Sequence, residues 1–444
     1  MKLNRRWLAL GAALVALAIA LVVSATSGAA SKSGAAKSDV SGAITVWVDA
    51  AREPVLDAYI KSHPNVTVTK VVFDGDGNGA TDLQTKIQLW NRTGSGWPDV
   101  VFSEQANDPV WMGQKPFDFA ADLNKVFPKN LIAGWPKPSL AQCTVNGRLV
   151  CLQDNLAQEV LYYNKKLMDQ FGYKVPTTWQ QWAALGKQVA KQHPGYIIGT
   201  VGDSYGAWLY LWANRCPIEQ VVAPNTVKID PTDVHCTEMA KLLDPLIKSG
   251  VVGDGTVFTA DFAKNYGATD KILMMPGPTW YAAGGKTSFL ASLGIPAGEI
   301  TDALPLRWNK DPLTTGQVGG GPWIISKHTQ NMAAAVDFVQ WATTTNAGRN
   351  AAQNYPAYRP AANFQLYKMD HDPWFAAPPS PAQKAAAGLI WTGWSMVTYP
   401  DQPSWATSVV ANLVKGKSLS SLLPGLGKSL SNNAKAAGYK VVTK

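Results

Sequence analysis

Between Ile44 and Phe102 the chain alternates strand and helix patterns, and that alternation restricts it to a mainly parallel α/β sheet. Residues 44–48, 66–73 and 99–102 are apolar, β-branched runs that read as strands. A helix starts near Pro54, whose missing amide suits a first turn, and runs through Tyr59 and Ile60. A second covers residues 82–91. Ligands of such sheets bind beyond the carboxyl ends of the strands. Those ends are residues 49–52 and 103–108.

The next informative stretch is residues 146–182. Asn146-Gly147 is a hairpin turn signal, because both residues tolerate positive φ. The run ending at Tyr162-Tyr163-Asn164 reads as a strand entering a helix, and Gly172 ends that helix in the left-handed conformation. Pro176-Thr177-Thr178-Trp179 opens a second helix, where Thr178 and Gln181 fit a capping box. Beyond it, residues 195–201 and 272–275 read as strands. Residues 207–214, 239–248 and 331–343 read as helices, and 317–326 as a glycine turn with a strand. The tail, 405–436, is helical with breaks expected at Pro424 and Gly425. No internal repeat is visible.

The N-terminus carries Lys2, Arg5 and Arg6, an apolar run over residues 8–23 and small residues over 24–30. This is a secretory signal peptide, cleaved between Ala25 and Ala30, with an uncleaved anchor as the alternative. No cysteine lies in the small-residue zone, so a lipoprotein anchor is not expected. Residues 31–43 form a Ser/Ala/Gly/Lys linker. The remainder, about 414 residues, is long enough for two domains. Removing the three basic leader residues lowers the net charge from +9 to +6. That is dilute, and no basic run interleaves with aromatics, so nucleic acid is not an expected partner.

An exported chain with four cysteines suggests two disulfides. Cys143 and Cys151 flank the Asn146-Gly147 turn and could staple it, with a bulge because the spacing is asymmetric. Cys216 and Cys236 would then close the other loop. Without a C-x-x-C pattern a zinc site is not expected, and no cofactor is implied.

The ordered pieces of residues 146–182 resemble the extracellular solute-binding proteins of ABC sugar importers, the maltose-binding-like family. Trp97-Pro98-Asp99-Val100-Val101, residues 271–280 (KILMMPGPTW), Gly319-Gly320-Gly321-Pro322-Trp323 and Tyr355-Pro356-Ala357-Tyr358-Arg359-Pro360 are similar to further family segments, so the resemblance covers almost the whole mature chain. It implies an α/β, two-lobed periplasmic-binding-protein-like fold (type II), hinged, with the ligand in the interlobe cleft. One lobe takes residues 44–153 and 303–357, the other 154–302 and 358–444. The implied function is non-enzymatic, extracytoplasmic capture of a sugar or oligosaccharide by a monomer, and delivery to the transmembrane subunits of an ABC permease.

By the same resemblance, Asp49 and Arg52 follow the first strand as hydroxyl-binding residues, although Ala51 stands where the family has an acid. Glu104, Gln105 and Asn107 follow the third strand, where the family shows an aromatic and an acid. Asp154, Asn155 and Gln158 lie at the lobe crossing and point into the cleft. Asp203 accepts sugar hydroxyls, while Tyr205, Trp208, Trp280 and Trp405 supply aromatic faces. Trp323 divides between core and cleft. The physical basis is that a pyranose has an apolar face that a flat ring covers at little entropic cost.

Two patterns compete. Gly202-Asp203-Ser204-Tyr205-Gly206 matches G-x-S-x-G between a strand and a helix, which a secreted serine hydrolase would use with a later acid and histidine. No oxyanion segment lies upstream. Asp74, Asp76, Asn78 and Asp82 match part of a calcium loop, but Thr85 replaces the closing glutamate, so a glycine-rich turn is the plainer reading. A cell-surface glycan-binding adhesion module is the third function class.

Overall fold

The computed structural model describes residues 39–73, 77–352, 354–399 and 401–442. The signal segment, most of the linker and, in the calcium pattern, Asp74, Asp76 and the Asn78 side chain lie outside the described residues. Asp82 is exposed. Among the described residues no three metal-ligating side chains cluster, and no helix is long and apolar enough to cross a membrane.

The opening alternation forms as expected: β1 (Gly42–Val48), α1 (Glu53–Ser62), β2 (Val66–Val72), α2 (Gly77–Thr93) and β3 (Val100–Phe102). β4 (Leu152–Gln153) and β5 (Glu159–Asn164) follow the hairpin, then β6 (Met274–Pro278), β7 (Ile300–Ala303) and β8 (Pro322–Ile325). The first sheet runs β2-β1-β3-β8-β4. Its first three strands are parallel, and β8 is antiparallel to both neighbours. Ile44, Val46 and Val48 are buried, as are Val55, Leu56 and Tyr59 of α1. The Tyr59 hydroxyl donates to Asp337 at 2.7 Å, tying α1 to the helix Met332–Thr344.

A separate antiparallel sheet, β6-β5-β7, is built on the Tyr162-Tyr163-Asn164 strand. β6 starts two residues later than its sequence suggests and continues through Pro278. It is an edge strand, so Pro276 and Pro278 turn their donor-free side away from the ladder. The expected strand at 195–201 shrinks to Gly199–Thr200, paired with Val252–Gly253. Ile197 makes an isolated bridge to Ile272.

Local signals within residues 143–182 are realised. Asn146 and Gly147 have φ of 50° and 76° between the paired Val145 and Arg148. Cys143 bonds Cys151, and Cys216 bonds Cys236, with Cα separations of 5.0 and 4.5 Å. Gly172 closes the helix Lys165–Phe171 at φ 68°. Thr178 accepts from the Gln181 amide at 3.1 Å, but the Gln181 side chain reaches Thr177 rather than Thr178, one residue outside the capping-box geometry.

The tail corrects one expectation. The helix Leu419–Ala436 passes through Pro424 and Gly425 unbroken, and the interruption falls earlier, at Gly416 with φ 80°. A proline in a helix interior costs about 3 kcal/mol. Leu422, Leu423, Leu426 and Leu430 are all buried on this helix. At about 1.5–3 kcal/mol each, their burial outweighs the local penalty.

Candidate functional site

The carboxyl ends of β1 and β3 lie side by side, which brings Asp49, Arg52 and the loop 103–108 together. Asp49 caps the turn after β1 by accepting from the Arg52 amide at 2.8 Å and pairs with the Arg52 guanidinium at 3.1 Å. That guanidinium lies 4.2 Å over the Phe102 ring. In the adjacent loop, Ser103 donates to Asp108, whose other oxygen accepts from the Trp111 indole at 2.9 Å. Burial pushes the Asp108 carboxyl up to about 6 against these two donors. The result is a fixed loop that presents Glu104, Gln105 and Asn107.

Two segments meet that loop, the Tyr205 turn and the stretch 399–402. Gln105 Nε2 lies 3.0 Å from the Tyr205 hydroxyl, and Gln402 Nε2 donates to Gln105 Oε1 at 2.6 Å. Asn107 donates to the Tyr399 carbonyl at 3.4 Å. Tyr205 follows Asp203, whose carboxylate accepts from the Tyr205 amide at 2.9 Å in a turn that starts the helix Gly206–Ala213. Burial pushes the Asp203 carboxyl up, and the Tyr205 and Gly206 amides offset part of that. Beside this turn opens a small pocket of about 10 Å³, room for one water molecule. Thr200, Asp203 and Tyr205 line one side, and Pro276, Pro278, Tyr281 and Val318 the other. No basic side chain is among its described lining residues. Trp280 adjoins it, with its indole N–H fixed on the Val318 carbonyl at 2.9 Å and Tyr281 edge-on at 4.6 Å.

Other expected ligand contacts are occupied with packing. Asp154 is fully buried, its carboxylate paired with the equally buried Arg349 and accepting from the Trp323 indole at 3.0 Å. Trp323 is 0 % exposed. Neither faces the cleft, because a buried carboxylate must be satisfied inside the protein. Gln158 is also buried and donates to the Gln383 carbonyl at 2.9 Å. Asn155 is buried beside an isolated bridge to Pro356, with its side-chain oxygen unpartnered. Trp405 is 1 % exposed and belongs with Trp208, Trp212 and Trp394 in a block of near-parallel indoles. Trp208 sits in that block because its helix is apolar on every side and buried throughout. It backs Tyr205, with ring centroids 5.6 Å apart, so it supports the cavity wall rather than lining it.

The strained turn of a nucleophile elbow is absent at Ser204, which does not have a positive φ. The five histidines are engaged elsewhere: His63 with Tyr59, His193 with Phe171, His235 with Asp233, His328 with Trp97 and His371 with Tyr367. Sequence reasoning missed Gln402, Tyr399 and Tyr281. Tyr281 follows Trp280 directly and was within reach of the aromatic argument. Gln402 lies 297 residues from Gln105, and no local pattern marks it.

Behind the contact sit two buried acids. The Tyr399 hydroxyl donates to Glu219, and Asp401 lies close enough to raise it further. Burial pushes Glu219 up to about 8 and Asp401 up to about 7.

Comparison with known proteins agrees with this architecture. A 26 % identical stretch of 248 residues aligns with a probable ABC transporter-binding protein of Deinococcus radiodurans, covering 53 % of this chain and 57 % of that one. An arabinooligosaccharide-binding protein of Halalkalibacterium halodurans is 22 % identical over 279 residues, covering 59 % and 57 %. The chain thus spans little more than half the length of the curated relatives it matches. Among solved structures, the ABC transporter associated binding protein of B. animalis subsp. lactis in complex with β-1,6-galactobiose superposes with a TM-score of 0.73 at 18 % identity, over 90 % of this chain and 99 % of that one. The GacH receptor of Streptomyces glaucescens gives 0.67 at 17 % identity, over 90 % and 100 %. These likenesses show the two-lobed type II fold. The profile of the bacterial extracellular solute-binding proteins matches residues 45–349, and the chain belongs to that family.

Proposed function

We propose that this protein is a non-enzymatic, extracytoplasmic receptor. It captures a sugar or oligosaccharide as a monomer and delivers it to an ABC permease. Residues 44–153 with 303–357 would form one lobe and 154–302 with 358–444 the other. Two separate sheets, one built on β1–β3 and one on β5, support that division.

The observation that carries the reading is the wall of side chains beside the Gln105–Tyr205 contact. It combines one carboxylate, Asp203, with the aromatic and proline surfaces of Tyr205, Tyr281, Pro276 and Pro278. Such a wall suits a neutral ligand with hydroxyls on its edge and C–H groups on its faces. A hydrogen bond to a charged group contributes about 1.5–3 kcal/mol. Two or three of these with ring burial reach about −8 kcal/mol, which is micromolar affinity. Gln105 and Tyr205 lie on opposite proposed lobes, so their hydrogen bond is the kind of contact that hinge closure makes. Both proteins named in the preceding comparisons by a sugar ligand are carbohydrate binders, which favours this substrate class.

A thermal-shift screen against neutral sugars, amino acids, polyamines and peptides tests the class. Stabilisation by sugars is expected; stabilisation by the other groups alone rejects it.

A further inference from the structure

After Asp401 the sequence contains lysines but no aspartate or glutamate. Two of these, Lys428 and Lys435, are exposed on the helix Leu419–Ala436. Seven residues apart, they share one face and lie about 10 Å apart along the axis. The helix Val234–Lys248 repeats that spacing with exposed Lys241 and Lys248. A third helix, Trp179–Gln192, carries exposed Lys187 and Lys191 about one turn apart.

The three helices form one packed layer, with Val234–Lys248 touching both of the others. Gly186 lets Leu246 approach so closely that a Cβ there would lie 3.2 Å from the leucine side chain. Asp244 accepts from the Ser420 amide at 3.2 Å and from its hydroxyl at 2.5 Å, which clasps the start of Leu419–Ala436. Trp182, Val189, Leu243, Leu246, Leu426 and Leu430 are buried, so the lysines occupy the solvent side of their helices. The only acids on the layer are on the middle helix. Asp244 is held by Ser420, and Glu238 accepts from the Asn214 side-chain amide at 3.0 Å. Among the described residues, the ion pairs that lysine makes all involve lysines other than these six.

We propose that this lysine-bearing layer docks on the headgroup plane of an anionic phospholipid membrane. Packed helices lie about 8–10 Å apart, and the screening length at 0.1 M salt is about 10 Å, so neighbouring ammonium groups act together. Net charge over the whole chain is dilute, but here charge of one sign is concentrated without a competing carboxylate. The layer carries no arginine, whose planar fork grips one fixed phosphate, whereas lysine is a point charge on a flexible stem that suits laterally mobile phosphates. It exposes no aromatic ring, so it lacks the stacking platform that single-stranded nucleic acid uses. Each lysine near an anionic bilayer strengthens binding about fivefold. None of the residues of the Asp203–Tyr205–Trp280 wall stands on these helices, so docking and capture are separable. For a receptor that delivers to a permease, adsorption to the lipid surface turns a search in three dimensions into one in two.

The test is co-sedimentation of the full chain with vesicles of phosphatidylcholine alone and of equal parts phosphatidylcholine and phosphatidylglycerol. Two variants of equal net charge are compared with the parent. One combines Lys241→Gln, Lys248→Gln, Lys428→Gln and Lys435→Gln. The other combines Lys61→Gln, Lys125→Gln, Lys129→Gln and Lys137→Gln, four exposed lysines elsewhere. All three proteins share the basic N-terminal segment, so its contribution cancels. The parent is expected to prefer the anionic vesicles and to lose that preference between about 0.1 M and about 1 M salt. The first variant should bind them at least tenfold more weakly, and the second should stay close to the parent. Arginine at the same four positions of the layer should retain binding, which separates loss of charge from loss of fold. Equal losses in the two glutamine variants would show that binding follows net charge, and would overturn the layer as a docking face. A parent that binds both kinds of vesicle equally, or that binds soluble poly(glycerol phosphate) but no vesicle, would overturn the lipid surface as its partner.

Discussion

The Gln105 side-chain amide and the Tyr205 hydroxyl lie 3.0 Å apart, although 100 residues of chain separate them. Gln105 follows the carboxyl end of β3, and Tyr205 begins the helix Gly206–Ala213. A neutral hydrogen bond contributes about 1 kcal/mol net. Removing it with Tyr205→Phe, or with Gln105→Ala, is expected to weaken sugar affinity about fivefold. It should also raise the radius of gyration of the free protein in small-angle scattering. Unaltered scattering and affinity in both variants would show that this contact does not hold the lobes together.

The second prediction concerns a buried ion pair. Asp154 and Arg349 are both fully buried and paired. Taking one charge away leaves the other stranded, at about 3–5 kcal/mol, whereas replacing both with apolar groups is often neutral. Arg349→Met should therefore lower the urea midpoint sharply, and Asp154→Leu combined with Arg349→Met should recover most of the loss. Equal destabilisation by the single and double variants contradicts this account.

Asp154 also shows where sequence reading stops. The alternation of residues 44–102, the Asn146-Gly147 turn and the Gly172 stop were legible because each depends on neighbours in the chain. Whether Asp154 faces a cleft or a core depends on Arg349, 195 residues away. Trp405 was misread in the same way: it ends a helix, but Trp208 and Trp394 close over it. Asp203, Tyr205 and Trp280 were legible as a cluster only through the family resemblance. The prolines of β6 hid a strand because nothing local reveals that it is an edge.

The third prediction follows from the buried acids. Glu219 rises to about 8 and Asp401 to about 7, so the folded protein holds protons that the unfolded chain has released. Their stabilisation is fully present below the unfolded carboxylate range, near pH 4, and is lost as pH rises through about 7 and 8. Between pH 5 and pH 8.5 the melting temperature of Glu219→Gln should gain on that of the parent, because glutamine stays neutral. A difference that is constant with pH, or shrinks, would show that Glu219 is not protonated in the folded state.

The central claim, sugar capture at the Asp203–Tyr205–Trp280 wall, is tested most directly by isothermal calorimetry with the sugar that stabilises the protein most. The account predicts micromolar affinity for the parent protein. It predicts losses of at least tenfold in both Asp203→Ala and Trp280→Ala, with melting curves that remain cooperative. Affinity that is the same in the parent and in both variants would contradict it.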